Sequence, residues 1–272
     1  MNKNRLLLSL LIALVVLFGL KAWNGSALWP HPGNVNFPGS AGVPPASAET
    51  LPNPMAHPSP AALAFGEKQV ERMVADRPQM KQYVQKGDSV WQYCARQFAG
   101  EACGQKITWN PDPPHPPDDY DADHQYPTDT QQGYIRIRRL SGAGAMRGKE
   151  RNGEDMWQNA IFELNNIRSA KQFDRLFEDA LAGKLSKEQW IKGNTQLEYT
   201  AYRNSVRIYR ILWLPLMRSK GIASNPDLWW PDLPDTYEAW IALYTDKSSY
   251  PWDSWGKSYD DDIVPYLKSK QR

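Results

Sequence analysis

The chain has little of several things that announce a function. Histidine is scarce, with four in 272 residues. Neither His115 nor His124 has the His-x-x-x-His spacing of a helical metal site. No Gly-x-Ser-x-Gly elbow occurs, so nothing marks a serine nucleophile. Gly142-Ala-Gly144 is too short for a phosphate-cradling loop, and no Gly-Lys-Ser/Thr follows it. Charge of one sign is not in excess: 32 basic residues stand against 30 acidic, a net of +2. Nucleic acid is thereby set aside as the main partner, because phosphate binding needs a clear basic surplus on one face. No internal repeat is present.

Cysteine is limited to Cys94 and Cys103, in YCARQFAGEAC, which leaves room for one bridge at most. In an oxidising compartment so close a pair is expected to form a disulfide closing a short loop. The N-terminus points to such a compartment. After a basic start, Asn-Lys-Asn-Arg, the chain runs from Leu6 to Leu20 with only Ser9 and Gly19 interrupting the aliphatic and aromatic residues. This is the pattern of an export signal. The run is short of the about 20 residues of a full membrane span. Gly25-Ser26-Ala27 offers small residues for cleavage, whereas Lys21 and Trp23 suit an uncleaved anchor at the interface. Both outcomes are kept: residues 1–27 are a signal peptide or a membrane anchor. No cysteine follows the run to carry a lipid. Residues 28–62 are a Pro/Gly/Ala-rich spacer. Residues 63–272 are expected to form one globular domain outside the cytoplasm, large enough for a single core.

What is abundant is aromatic: twelve tryptophans and thirteen tyrosines. Such side chains fill cores, and they also line grooves for sugars and peptides. Residues 64–86 read as a helix, and a second, VWQYCARQF, carries Cys94. Residues 104–132 hold six prolines and many aspartates, which excludes helix and inner strand and suggests a loop that is either functional or disordered. YIRIRRL, from Tyr134 to Leu140, alternates as a strand does. MWQNAIFELNNI is a helix with an acidic first turn at Glu154 and Asp155. KQFDRLFEDALA follows and is ended by Gly183. Ser186 and Gln189 resemble a capping box, and residues 195–214 form the longest helix, ended near Pro215. The class is mainly α with a small β element (α+β).

Two glutamates stand out on these helices. On a wheel of about 100° per residue, Met156, Trp157, Ala160, Ile161, Leu164 and Ile167 fill one arc of the first. Glu163 sits at its edge, with Asn159 and Asn166 as polar neighbours. Phe162 falls on the otherwise polar face, so this helix is expected to be covered on more than one side. On the longest helix Glu198 lies near the middle of an arc that includes Tyr199, Ala201, Tyr202 and Val206. A carboxylate there needs a partner or a proton. Two readings stand: a structural ion pair or hydrogen bond, and a site carboxylate with a perturbed pKa.

The order of strand Tyr134–Leu140, helix with Phe-Glu-Leu-Asn-Asn at 162–166, and later helix with a buried glutamate resembles the core of a zincin metallopeptidase. There an edge strand precedes a helix bearing His-Glu-x-x-His. The resemblance covers about residues 133–215. It implies a helical zincin-like core with an edge strand, Glu163 in the place of the general base and Glu198 in that of a downstream ligand. Phe162 and Asn166 stand where the two histidines should be, so the resemblance is to a degenerate zincin with no metal and no cofactor. Its implied role is a non-catalytic domain using Glu163, Glu198, Asn159, Asn166 and Tyr202 to bind a peptide, a glycan or an envelope protein. Two alternatives are a glycan-cleaving enzyme, with Glu163 as acid and a partner among Asp118, Asp119, Asp121 and Asp123, and a structural envelope protein without a site.

Overall fold

The first helix, α1 (Pro60–Asp76), begins where Ser59 accepts a hydrogen bond from the Ala62 amide, and it stops two residues before Pro78. A residue preceding proline is pushed out of the helical region, and Arg77 sits at φ −127° and ψ 70°. The helix expected over 64–86 is therefore two pieces, α1 and a short 3-10 turn, Pro78–Gln82. Helix α2 (Ser89–Phe98) lies against α1 so closely that a Cβ on Gly66 would stand 1.9 Å from the Ala95 carbonyl oxygen.

This architecture comes from a computed structural model, which describes residues 57–111, 121–128, 131–141, 147–248 and 250–270. The apolar N-terminal run, most of the spacer, His115, Asp118, Asp119 and the Gly142–Gly144 turn lie outside the described residues. Among the described residues no helix is long and apolar enough to cross a membrane.

The chain is mainly helical with one small sheet of three strands. Strands β1 (Ile107–Trp109) and β2 (Ala122–Gln125) flank β3 (Gly133–Ile137), β1 parallel to it and β2 antiparallel. Strand β3 alternates as expected, with Gly133, Ile135 and Ile137 buried. It is the middle strand rather than an edge. The stretch 104–132, expected to be irregular, supplies both edges. Its prolines fall between the strands, where no ladder donor is needed.

Helix α3 (Gly153–Arg168) crosses under the sheet. Asn152 caps it by accepting from the Asp155 amide at 2.9 Å. It is buried on nearly every face, as Phe162 foretold. One side, with Met156, Trp157, Ala160, Ile161 and Leu164, joins the main core beneath the sheet. Phe162 joins a second cluster with Tyr199, Tyr202 and Trp240. Glu154, also buried, gathers the chain beyond: it accepts from Trp229 Nε1 (2.9 Å), Trp213 Nε1 (3.1 Å), the Asn225 amide (3.0 Å) and the Ser224 hydroxyl (2.5 Å).

Helix α4 (Ala170–Leu181) turns at Gly183, whose φ is +72°. Helix α5 (Lys187–Ile208) starts with the full capping box of Ser186 and Gln189. It is one helix where the sequence suggests two. A π-helical turn, Tyr209–Trp213, follows, and Pro215 opens α6 (Leu214–Lys220) instead of ending the rod. Proline is tolerated there because a first-turn residue needs no intrahelical N–H bond. The tail adds a 3-10 turn (Pro226–Trp229), α7 (Tyr237–Ile241), α8 (Trp252–Ser258), a second π turn (Tyr259–Ile263) and α9 (Val264–Lys270).

The expected disulfide is absent. Cys94 and Cys103 are both free and buried, and they do not stand at bonding distance. Cys94 is fully buried in the core from the middle of α2, whereas Cys103 lies beyond the helix end and turns its thiol to the Gln105 carbonyl at 3.1 Å. Burial pushes both thiols above their usual range, so neither is a ready nucleophile.

Candidate functional site

Both glutamates are buried side chains in the same place. Glu163 is 3% exposed and Glu198 5%. Helices α3 and α5 pack against each other along this stretch. The two carboxylates act on each other electrostatically, and both act on Tyr126 and Tyr202.

Glu163 has a partner that the sequence did not disclose. His124, on β2, places Nδ1 2.5 Å from Glu163 Oε2. The side chains are 10% and 4% exposed. An ionised carboxylate only accepts, so Nδ1 is the donor when Glu163 is charged. The residue responsible sits inside the stretch taken for an irregular loop. No clear signal marks it, since Asp123, His124 and Gln125 are three polar residues in a row. Strand pairing turns Asp123 to Arg136, its register partner on β3, in a two-pronged ion pair of 2.7 and 2.5 Å. His124, the next residue, is sent to α3.

Glu198 is held differently. It accepts a hydrogen bond from the Tyr250 hydroxyl, which comes from the segment just before α8. The Trp255 indole also favours its charged form, although Nε1 makes no well-aligned hydrogen bond to any protein atom. Burial outweighs these contacts and pushes Glu198 up to about 7. Tyr250, Trp255 and His124 pull it down, and Glu163 adds to the rise. A buried acid without a full counter-charge keeps its proton well into the neutral range.

Aromatic rings surround the pair. His124 meets Tyr126 edge-on at 4.6 Å, Tyr126 lies 5.0 Å from Phe173 of α4, and Phe173 stacks on Trp255 at 6.2 Å. On the other side Phe162 packs on Tyr202 at 4.5 Å and on Trp230 at 5.5 Å. These rings remove water from both acids, which is the physical source of the raised Glu198.

The remaining expected residues divide. Tyr202 is at the site. Asn166 is buried and its Oδ1 has no hydrogen-bond partner among the described residues. Asn159 donates to the carbonyl and carboxylate of Asp155 at 2.9 and 3.1 Å, within the first turns of its own helix. It is therefore engaged in holding the helix start. Of the loop aspartates, Asp123 is committed to Arg136, and the Asp121 carbonyl accepts from Arg151 at 2.7 Å. The group that the strand delivers to Glu163 is thus a histidine and not an aspartate.

Phe162 contributes a packed ring where a zinc-binding histidine would be needed, and Asn166 an amide. Neither fits that metal's preference for imidazole, thiolate or carboxylate. Among the described residues no group of three or more histidine, cysteine, aspartate or glutamate side chains is arranged to hold a metal ion. A separate cavity of about 430 Å³ opens elsewhere, between α1 and α2, lined by Val74, Val84, Lys81 and Trp91. It touches neither acid. Chemically, the arrangement offers one acid hydrogen-bonded to an imidazole ring and a second, buried acid that exchanges a proton near neutrality. No protein-family model, no curated protein and no solved structure matches this chain.

Proposed function

We propose that residues 63–272 form a non-catalytic, zincin-like binding domain on the outer side of a membrane, taking a peptide, a glycan or an envelope protein. The observation that carries this reading is what has become of the catalytic positions. Glu163, in the place of the water-activating base, is closed by His124 at 2.5 Å. Phe162, in the place of a metal ligand, is packed on Tyr202 and Trp230. With one carboxylate oxygen taken up by the His124 ring, Glu163 is poorly placed to activate a water. What remains is a pair of buried acids in an aromatic frame, which suits recognition more than turnover. The sequence pattern of an apolar leader and a proline-rich spacer supports the location.

The test is a titration of the full chain with peptidoglycan fragments, followed by tryptophan fluorescence. Saturable binding is expected, weakened by Tyr202→Ala and accompanied by no change in the fragments over a day. Stoichiometric zinc in the purified protein, or release of cleaved sugars, overturns the reading.

A second reading has its own observation. Burial holds Glu198 near neutrality against the downward pull of the Tyr250 hydroxyl, and such a group suits the general acid of a glycan-cleaving enzyme. Glu198 rather than Glu163 is then the acid, because Glu163 is engaged by His124. Lysis abolished in Glu198→Gln and kept in Tyr202→Phe favours this alternative.

A further inference from the structure

The cavity of about 430 Å³ between α1 and α2 shares no lining residue with the two acids. Its size falls within the about 300–1,000 Å³ typical of small-molecule sites. The last turns of α1, the connection that starts at Pro78 and the first turn of α2 enclose it. Its floor is apolar: Val74 of α1, Val84 of the connection and the ring of Trp91 in α2, all members of the main core.

Three polar features border that floor. Trp91 is only 5% exposed, and its Nε1 has no acceptor among the described residues. A buried indole N–H normally finds one. Helix α2 begins here without a side-chain cap, because Asp88 gives its carboxylate to the Gln85 amide and to Lys220 instead. The amides of a first turn are donors at the positive end of the helix dipole. On the rim, Lys86 is held by Glu71 at 2.7 Å and by Glu67 at 3.8 Å. Exposed Lys81 has no hydrogen-bond or ion-pair partner among the described residues. Glu71, the acid in the lining, is thus taken up by Lys86, while the donors and Lys81 favour an anion. The floor itself offers no polar side chain besides the indole, so the body of a fitting ligand is hydrocarbon. One cation and a few neutral donors match a singly charged carboxylate, whereas a phosphate brings more charge than this rim meets.

We propose that this cavity binds an alkanoate, a linear hydrocarbon chain ending in a carboxylate. The chain lies on Val74, Val84 and the Trp91 ring, and the carboxylate is met by Trp91 Nε1, the start of α2 and Lys81.

Calorimetric titration of the full chain with sodium octanoate, paired with nitrogen–proton spectra of the indoles, tests this. Saturable binding of one octanoate per chain is expected, and the Trp91 indole signal, assigned by its loss in Trp91→Phe, should move. Octan-1-ol has the same body without the charge and should bind at least about tenfold more weakly. Lys81→Glu reverses an exposed charge and should weaken octanoate binding about fivefold. Trp91→Phe keeps a ring and removes an unsatisfied donor, so it should fold at least as stably as the natural chain while binding octanoate less tightly. All variants carry the same N-terminus, so these differences belong to the cavity. Uptake without saturation, octan-1-ol binding as tightly as octanoate, an unchanged affinity in Lys81→Glu, or a Trp91 signal that stays in place overturns the proposal. Tyr202→Ala should bind octanoate as the natural chain does, so failure here and failure of the glycan reading are told apart.

Discussion

His124 Nδ1 and Glu163 Oε2, 2.5 Å apart and 39 residues apart in the chain, fasten the edge strand β2 to the central helix α3. Removing one member of a pair this deeply buried strands the other. His124→Gln and Glu163→Gln should each cost about 3–5 kcal/mol, whereas the double replacement by residues of similar volume, His124→Phe with Glu163→Leu, should recover most of the loss. Urea denaturation of the four proteins measures the coupling. Additive losses would show that the contact is not an ion pair.

Glu198 gives stability a pH dependence of defined sign. Its folded value, about 7, lies above the ordinary 4.5. The fold therefore favours the protonated acid, and this contribution is fully present below pH 4.5. It is lost as pH rises from 4.5 through 7 and changes no further above that. The total is on the order of 3 kcal/mol. Other groups titrate in the same window, so the comparison is with Glu198→Gln. The variant should lack this decline and exceed the natural chain in denaturation midpoint at pH 8, with the gap closing by pH 4.5. A gap that is constant with pH refutes the assignment.

Glu154 should be among the most sensitive positions in the molecule. Its carboxylate receives two indoles, a hydroxyl and an amide, all from residues 213–229. Glu154→Ala takes the acceptor from the Trp229 indole, the Ser224 hydroxyl and the Asn225 amide, while the Trp213 indole keeps the Ser224 hydroxyl at 3.1 Å, and each unsatisfied buried group costs about 1–3 kcal/mol. The expected result is loss of the cooperative transition, or a drop in thermal midpoint of 10 °C or more, roughly what a few kcal/mol produces in a domain this size. Glu154→Gln, which keeps both a carbonyl acceptor and the shape, should lose less than half as much.

The cysteines offer a chemical check. Without reductant, the native chain should leave both thiols unreactive towards an aromatic disulfide reagent, and both should react once it is unfolded in urea. A chain that releases none after unfolding contains a bridge, and the packing of α2 and its following turn would have to differ from that described.

Much of this could be read in advance, and the reasons are local. The capping box at Ser186 and Gln189, the acidic first turn of α3 and the apolar arcs of α3 and α5 all act within one or two turns of helix. Glu198 was recognisable as buried because helical pitch alone puts it among tyrosines. Phe162, out of place on its wheel, announced a second covered face. His124 was not legible, because its role depends on β2 pairing with β3, and a four-residue strand among prolines leaves almost no pattern. The cysteines misled for a related reason. Their spacing in sequence is short, but helical geometry directs one inward while the chain beyond Gly100, at φ +91°, turns the other away. The break at Pro78 and the continuation through Pro215 show the same residue acting oppositely by position. One follows a helix and ends it, and the other enters a first turn that needs no donor.

The π turn at Tyr209–Trp213 has a consequence for how the long rod tolerates change in length. Such a turn accommodates one residue more than regular helical pitch requires, while leaving the segments on either side in phase. Deleting a single half-buried residue there, Ile211 for instance, should merely tighten the coil and keep Met217 facing inward. The same deletion a few turns earlier, at Lys192, would swing every later side chain by roughly 100°. Insertions and deletions in this rod are thus predicted to be tolerated at one place and ruinous along the rest of its length.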